Sequence, residues 1–112
     1  MNIEELTIKQ VRELQSLFGT HNQSQSHPFE IGKNYFIRTV THHYTGKLLE
    51  VYPTELVLVD VAWIADEGRF ANAMKTGEFD EVEPWPDGKK VIIGRGSIID
   101  ASFQEILPRI QK

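Results

Sequence analysis

Few residue combinations in this chain could act in catalysis. His42 and His43 are adjacent, and neighbours on a strand point to opposite faces, so they do not easily bind one metal ion. Asp60 and Asp100 could form a carboxylate pair, but each lies in a strand-like segment and no nucleophile accompanies them. We therefore predict no catalytic residue, no metal site and no cofactor. A small metal-dependent enzyme acting through these histidines or Asp60 is a functional hypothesis that ranks third, after the two given at the end of this subsection. Asp60 is instead predicted to cap turn amides or to pair with a neighbouring subunit.

Arg95 is the residue best suited to bind a nucleotide. It lies between Gly94 and Gly96 in a tight turn, where a guanidinium is exposed and offers a planar set of donors to a base or a phosphate. The alternative is a surface or intersubunit salt bridge. The two glycines do not make a phosphate-binding loop, because no helix follows them.

An acidic segment at residues 78–87 contains five acids and no base. Aromatic residues bracket it, namely Trp63, Phe70, Phe79 and Trp85. These rings either hold the segment against the domain or form a surface for a partner protein. The first interpretation is preferred.

Length and composition indicate one folded domain. The chain has 112 residues, of which 40% are hydrophobic, so it differs from disordered sequences. It has no cysteine, and its net charge of −4 argues against a broad basic surface for nucleic acid. No apolar run is long enough to span a membrane, and acids near the N-terminus are unlike a signal peptide. We predict a cytoplasmic protein without membrane contact.

The first 19 residues are predicted to form an amphipathic helix. Ile8, Val11, Leu14 and Phe18 recur at spacings of three and four, and Gly19 is placed to end the helix. The stretch from 21 to 28 is polar and reads as a loop. The helix is therefore tethered to the rest of the chain.

β-rich segments dominate the remainder of the chain. The five segments are 35–44, 47–52, 56–64, 91–93 and 97–103, with a turn at Thr45-Gly46 between the first two. The third is apolar throughout, so both of its faces should be covered. Residues 65–88 form an insertion with a short helix near 68–75. The order predicts a mainly β fold, with a five-stranded bent antiparallel barrel over residues 34–103.

Two segments carry a resemblance to a known family. Residues 91–99 contain an apolar strand, Arg95 and Gly96, and a second apolar strand. Residues 46–60 contain a glycine where the second strand bends and an acid, Asp60, near the end of the third. In both respects the chain resembles the Sm-like (LSm) superfamily of bacterial or bacteriophage type. Other SH3-like or OB-type barrels are the alternatives for the fold.

The resemblance implies an N-terminal helix, a bent five-stranded barrel and rings of six or seven subunits that pair their fourth and fifth strands. It also implies a nucleotide site at Arg95, Gly96, Tyr52 and Glu55. The turn at residues 52–55 lacks the Asp and Asn with which family members bind uracil. A carboxylate such as Glu55 only accepts hydrogen bonds and repels phosphate. Single-stranded RNA is one expected partner, and the alternative is a structural adaptor of a phage-like or other multiprotein particle.

Overall fold

A computed structural model describes residues 27–112, so the predicted helix at 1–19 lies outside the described residues. The fold is mainly β, with one antiparallel sheet of six strands and one α-helix. The elements in chain order are β1 (Asn34–Thr39), β2 (His43–Val51), β3 (Glu55–Asp66), α1 (Phe70–Thr76), β4 (Glu81–Pro84), β5 (Val91–Gly94), a 3-10 turn (Arg95–Ser97) and β6 (Ile98–Phe103). No helix among these residues is long and apolar enough to cross a membrane.

The sheet has the strand order β4-β3-β2-β1-β6, and β5 also pairs with β3. The 12-residue β3 pairs with two different strands along one edge. Its residues Glu55 to Leu58 pair with β5, and its residues Ala62 to Asp66 pair with β4. No pairing joins β5 to β6 within residues 27–112, and the sheet is open.

Asp60 lies where β3 changes its neighbour. Its φ of 53° is the only positive value of a non-glycine residue in the described chain, and the register of β2 against β3 shifts beside it. The Asp60 carboxylate accepts a hydrogen bond of 3.0 Å from the amide of Gly88. Aspartate tolerates this left-handed conformation better than most residues. The predicted role of Asp60 in capping a turn amide is confirmed.

Two hydrophobic clusters cover the opposite faces of the sheet. One face buries Tyr35, Ile37, Leu48, Leu56, Leu58, Val61 and Ile93. The other buries Phe36, Ala62, Ile64, Ala73, Phe79 and Val82, with α1 packed over them. Because β3 contributes to both clusters, the prediction that both faces of segment 56–64 are covered is confirmed.

The predicted turn at Thr45-Gly46 is wrong, because both residues lie inside β2. The chain turns earlier, between Thr39 and His42, where the Thr39 amide and hydroxyl both donate to the carbonyl of His42, at 2.8 and 2.6 Å. Gly46 instead lets the side chains of Leu58 and Val61 on β3 pack closely against the backbone of β2, since a Cβ atom at this position would lie 3.0 Å from both side chains. A bulge interrupts the β2–β3 register at this point, as expected for the bend in the second strand.

The insertion contains the short helix expected near residues 68–75, as α1. It also contains β4, which lies within the acidic segment and makes the sheet six-stranded rather than five-stranded. Phe79 is buried and Trp85 packs on Tyr44 at 6.0 Å, so these two rings do hold the insertion on the sheet. The C-terminal residue continues this edge, because Lys112 and Val82 exchange two backbone hydrogen bonds of 3.0 Å.

Candidate nucleotide-binding site

The four residues predicted to bind a nucleotide lie on two adjacent turns at one end of the sheet. Cross-strand pairing places Gly94, at the end of β5, directly opposite Glu55, at the start of β3. The 3-10 turn that carries Arg95 therefore lies beside the β2–β3 turn that carries Tyr52. The amide of Arg95 joins the two turns by donating to the Thr54 carbonyl at 2.9 Å.

The guanidinium of Arg95 is held by contacts inside the chain. Its Nη1 donates to the carbonyl oxygen of Tyr52 at 2.8 Å, and its central carbon lies 5.5 Å from the centre of the Phe29 ring. Within residues 27–112 it makes no ion pair, so the surface salt bridge is not present there, and an intersubunit salt bridge stays a prediction. One planar face of the guanidinium is thus packed against Phe29, and no carboxylate of residues 27–112 forms an ion pair with it.

Tyr52 provides an exposed ring beside Arg95. The ring is 44% exposed, enough to stack against a base. The negative charge of Glu50 raises the pKa of the Tyr52 phenol above its ordinary value, with smaller contributions from desolvation, a hydrogen bond to Glu50 and the charge of Glu55. Glu55 also accepts a hydrogen bond from the Thr54 hydroxyl. The site therefore combines one arginine and one aromatic ring with two carboxylates.

Gly96 is exposed at the tip of the 3-10 turn. Its φ is not in the left-handed region, and a Cβ atom added there would meet no atom within 4 Å. Among the described residues, neither backbone conformation nor packing thus requires a glycine at this position.

A row of charged residues on the α1 side of the sheet was not predicted. Arg38 pairs across strands with His43 on one side and with Asp100 on the other. Arg38 donates to both oxygens of Asp100, with an Nε–Oδ1 distance of 2.8 Å, and His43 forms a short contact with Glu67. The row therefore ends in an acid on both sides, Glu67 and Asp100, with His43 and Arg38 between them, and it spans the sheet from the end of β3 to β6.

The charged residues of this row pair with one another, Arg38 with Asp100 and His43 with Glu67. The hydrogen bond from Arg38 is the main cause that lowers the pKa of Asp100 and, in return, raises the pKa of Arg38. The Arg38 guanidinium also lies over the ring of Phe70, 4.7 Å from its centre, which ties β1 to α1. The sequence carries little signal for this row, because β1 and β6 contain one charged residue each and no local pattern reveals which charges meet.

The two histidines of the pair 42–43 have separate surroundings. His42 Nδ1 lies 2.8 Å from the Thr41 hydroxyl, and its ring contacts Trp63 at 5.7 Å between centres. His43 contacts Glu67 instead. Across the described part of the chain, no three acidic or histidine side chains converge in a way that could hold a metal ion.

Comparison with known proteins adds no identification to this geometry. No protein-family model matches the chain, and no curated protein matches it.

Proposed function

We propose that this chain is a non-catalytic, Sm-like subunit that associates head to tail into a ring and acts as a binding or assembly unit. The observation that carries the proposal is a pair of free, apolar strand edges. Among the described residues β5 pairs only with β3, and β6 pairs only with β1. Ile92 on β5 is 69% exposed, and Ile99 on β6 is 63% exposed.

Free edges of this kind favour association. An edge strand presents unpaired amides and carbonyls, and soluble proteins usually protect such edges with charges or prolines. The four residues of β5 include neither. Because β5 and β6 are different surfaces, pairing one with the other is a heterologous contact, which closes into a ring if the rotation allows.

The short connection between β5 and β6 supports a strongly bent sheet of the Sm-like type. In a flat sheet, the order β5-β3-β2-β1-β6 would separate the two strands by four spacings, about 19 Å. Only four residue steps join Gly94 to Ile98, and these span at most about 14 Å. This short connection favours a sheet that curls toward itself, which is the arrangement that the proposal requires.

Single-stranded RNA is the first candidate partner. The support is the adjacency of Arg95 and the exposed ring of Tyr52 on two neighbouring turns. Exposed aromatic and guanidinium groups are the common means of stacking unpaired bases. In a ring, each subunit would repeat this pair around the same opening.

A structural adaptor without RNA is the second candidate. The observation in its favour is the presence of Glu50 and Glu55 beside Tyr52, which raise the pKa of its phenol. The same negative charges repel a phosphate backbone. In this case the ring would bind protein surfaces only.

The first experiment is a measurement of mass in solution by light scattering coupled to size exclusion. The proposal predicts a closed oligomer that Ile92→Lys dissociates. Ile110→Lys is the matched control, since Ile110 is 81% exposed but lies in the C-terminal tail. A monomeric unaltered protein, or equal dissociation by both variants, would rule out the ring.

RNA binding is tested separately, with fluorescently labelled uridine-rich and adenine-rich oligonucleotides at moderate salt. If RNA is the partner, Arg95→Ala weakens binding by about 1–3 kcal/mol, the range for loss of one stacked base. Lys89→Ala is the control for loss of one exposed positive charge, and melting of Arg95→Ala shows whether the fold survives. Absence of binding by the unaltered oligomer would leave the adaptor as the function.

A further inference from the structure

A polar hollow lies where the turn before β1 meets the end of β6. Its volume is about 520 Å³, within the range of about 300–1,000 Å³ that is usual for small-molecule sites. Most of the residues that line it carry a charge or a carboxamide, namely Glu30, Lys33, Asn34, Lys47, Gln104 and Glu105. A lining of this kind suits a small polar ligand.

Three polar side chains lie side by side on the floor of the hollow. Asn34 of β1 pairs with Lys47 of β2, and on its other side its carbonyl accepts a hydrogen bond of 2.9 Å from the backbone amide of Gln104. Residues in register on neighbouring strands point to the same face of a sheet. This face is the one that α1 covers, because Phe36, two residues after Asn34, belongs to the cluster under α1. The floor therefore presents two carboxamides and one ammonium group.

Both walls of the hollow are held by hydrogen bonds within the chain. The turn at residues 30–33 is fastened to Leu48 of β2, whose carbonyl accepts from the amide of Gly32 at 2.7 Å and whose amide donates to the carbonyl of Lys33 at 2.9 Å. On the opposite side, Asn34 Nδ2 donates to the carbonyl of Glu105 at 3.3 Å. The hollow is thus already formed before a ligand enters it.

Gln104 is the residue that points most directly to a ligand. Only 8% of it is exposed, and among residues 27–112 its side-chain amide forms no hydrogen bond. The end of α1 covers it on one side, since a Cβ atom added to Gly77 would lie 2.8 Å from its Nε2. A buried carboxamide that leaves its donors and its acceptor unpaired destabilises the fold. A ligand in the hollow would supply the missing partners.

The charges around the hollow balance one another. Lys33 and Lys47 contribute two positive charges, and Glu30 and Glu105 contribute two negative charges. A simple anion would be repelled by the two carboxylates, and a simple cation would be repelled by the two ammonium groups. A ligand that carries both a carboxylate and an ammonium group is complementary to the whole set.

We propose that this hollow binds a free α-amino acid, which carries both groups. The lysines bind its carboxylate, and the glutamates bind its ammonium group. The carboxamide of Gln104 donates to the carboxylate or accepts from the ammonium group, so its polar atoms gain partners. This inference does not depend on the ring or on RNA, because every residue that it uses lies within one subunit.

Isothermal titration calorimetry of the full chain with each of the common L-amino acids tests the site. The amino acid that binds most tightly is then compared with two derivatives. Its N-acetyl form lacks the positive charge, and its amide form lacks the carboxylate. We expect each derivative to bind at least about ten-fold more weakly, because each loses one set of charge-assisted hydrogen bonds. Equal binding of the amino acid and both derivatives would overturn the proposal, as would absence of binding by every amino acid.

Gln104→Leu tests the role of the buried carboxamide. Leucine has a similar size and leaves no polar group unpaired, so the melting temperature should be unchanged or higher, whereas the affinity for the amino acid should fall at least about ten-fold. Gln111→Leu is the matched control, because Gln111 is exposed in the C-terminal tail. Unchanged affinity in Gln104→Leu would contradict the site.

Lys47→Gln is a second variant that leaves the core intact, since Lys47 is exposed. It should weaken the amino acid and leave the binding of its amide form unchanged, because only the carboxylate contacts a lysine. Lys89→Gln, which removes an exposed lysine away from the hollow, should change neither. Equal effects of the two lysine variants would show that general charge, and not this site, sets the affinity. All of these results are separate from the mass measurement of the ring.

Discussion

At the residue scale, Arg95, Tyr52 and Glu55 are grouped on two adjacent turns at one end of the sheet. These residues belong to two turns that join neighbouring strands, and the resemblance aligned both turns. The Arg38–Asp100 pair, in contrast, joins two strands that are far apart in sequence. Asp100 is 62 positions away in sequence, and only the pairing of β1 with β6 brings the two together.

The Arg38–Asp100 pair makes a prediction for the dependence of stability on pH. Since the pKa of Asp100 is lowered in the folded state, its charge stabilises the fold above the pKa of the unfolded carboxyl group. That contribution is lost as the pH falls through the lower, folded pKa. We therefore expect the free energy of unfolding, measured in urea, to fall less in Asp100→Asn than in the unaltered protein when the pH is lowered below about 4, the ordinary range of the carboxyl group. The effect is small because both side chains are partly exposed.

Asp80→Asn is the matched control for this titration, since Asp80 is exposed and forms no ion pair in the part of the chain described. Equal acid sensitivity of the two variants would contradict the role given to Asp100.

Gly96 provides a second prediction at this scale, because nothing in the part of the chain that the structure describes requires a glycine there. Gly96→Ala should leave the melting temperature unchanged. If RNA enters between the turns, the added methyl group should weaken RNA binding measured by fluorescence anisotropy. A fall in melting temperature would mean that the 3-10 turn is tighter than its geometry indicates.

At the element scale, most strands were predicted, but the first turn was not. The segment 35–44 reads as one strand because its residues all favour β structure, and Gly46 reads as a turn residue. In the fold, Thr39 closes the turn with side-chain and backbone hydrogen bonds, whereas Gly46 is buried against β3. A glycine needed for close packing and a glycine needed for a turn look alike in sequence.

The packing of Gly46 predicts the cost of a side chain at this position. Gly46→Ala places a Cβ atom 3.0 Å from Leu58 and Val61, so these buried residues must move. We expect a loss of about 1–3 kcal/mol in the free energy of unfolding, measured in urea. Gly94→Ala is the control, because a Cβ atom there meets nothing within 4 Å. Similar losses in both variants would mean that flexibility of the backbone, rather than crowding, sets the cost.

At the scale of the whole molecule, the sequence indicated a single β domain with an insertion, and the described residues form a single mainly β sheet. The strand β4 was missed because its four residues lie in a segment dominated by acids. It is stabilised by distant partners that no local pattern reveals: β3 on one side and Lys112 on the other. This leaves β5 and β6, rather than β4, as the strands with free edges.

The two free edges allow a test of the direction of assembly. In a head-to-tail ring, Ile92→Lys damages the β5 edge and Ile99→Lys damages the β6 edge, so each variant alone should be monomeric. When the two are mixed, the intact β6 edge of the first can pair with the intact β5 edge of the second. Light scattering should then report a dimer of one copy of each variant, which cannot grow further.

A symmetric interface would behave differently, because the same edge would be used by both subunits. If β6 pairs with β6, Ile99→Lys is monomeric, Ile92→Lys remains oligomeric, and mixing produces no new species. If neither variant changes the mass, the contacts lie elsewhere and the head-to-tail model is wrong. The mixed dimer therefore identifies a heterologous contact between β5 and β6, since only complementary edges can restore association between two damaged subunits.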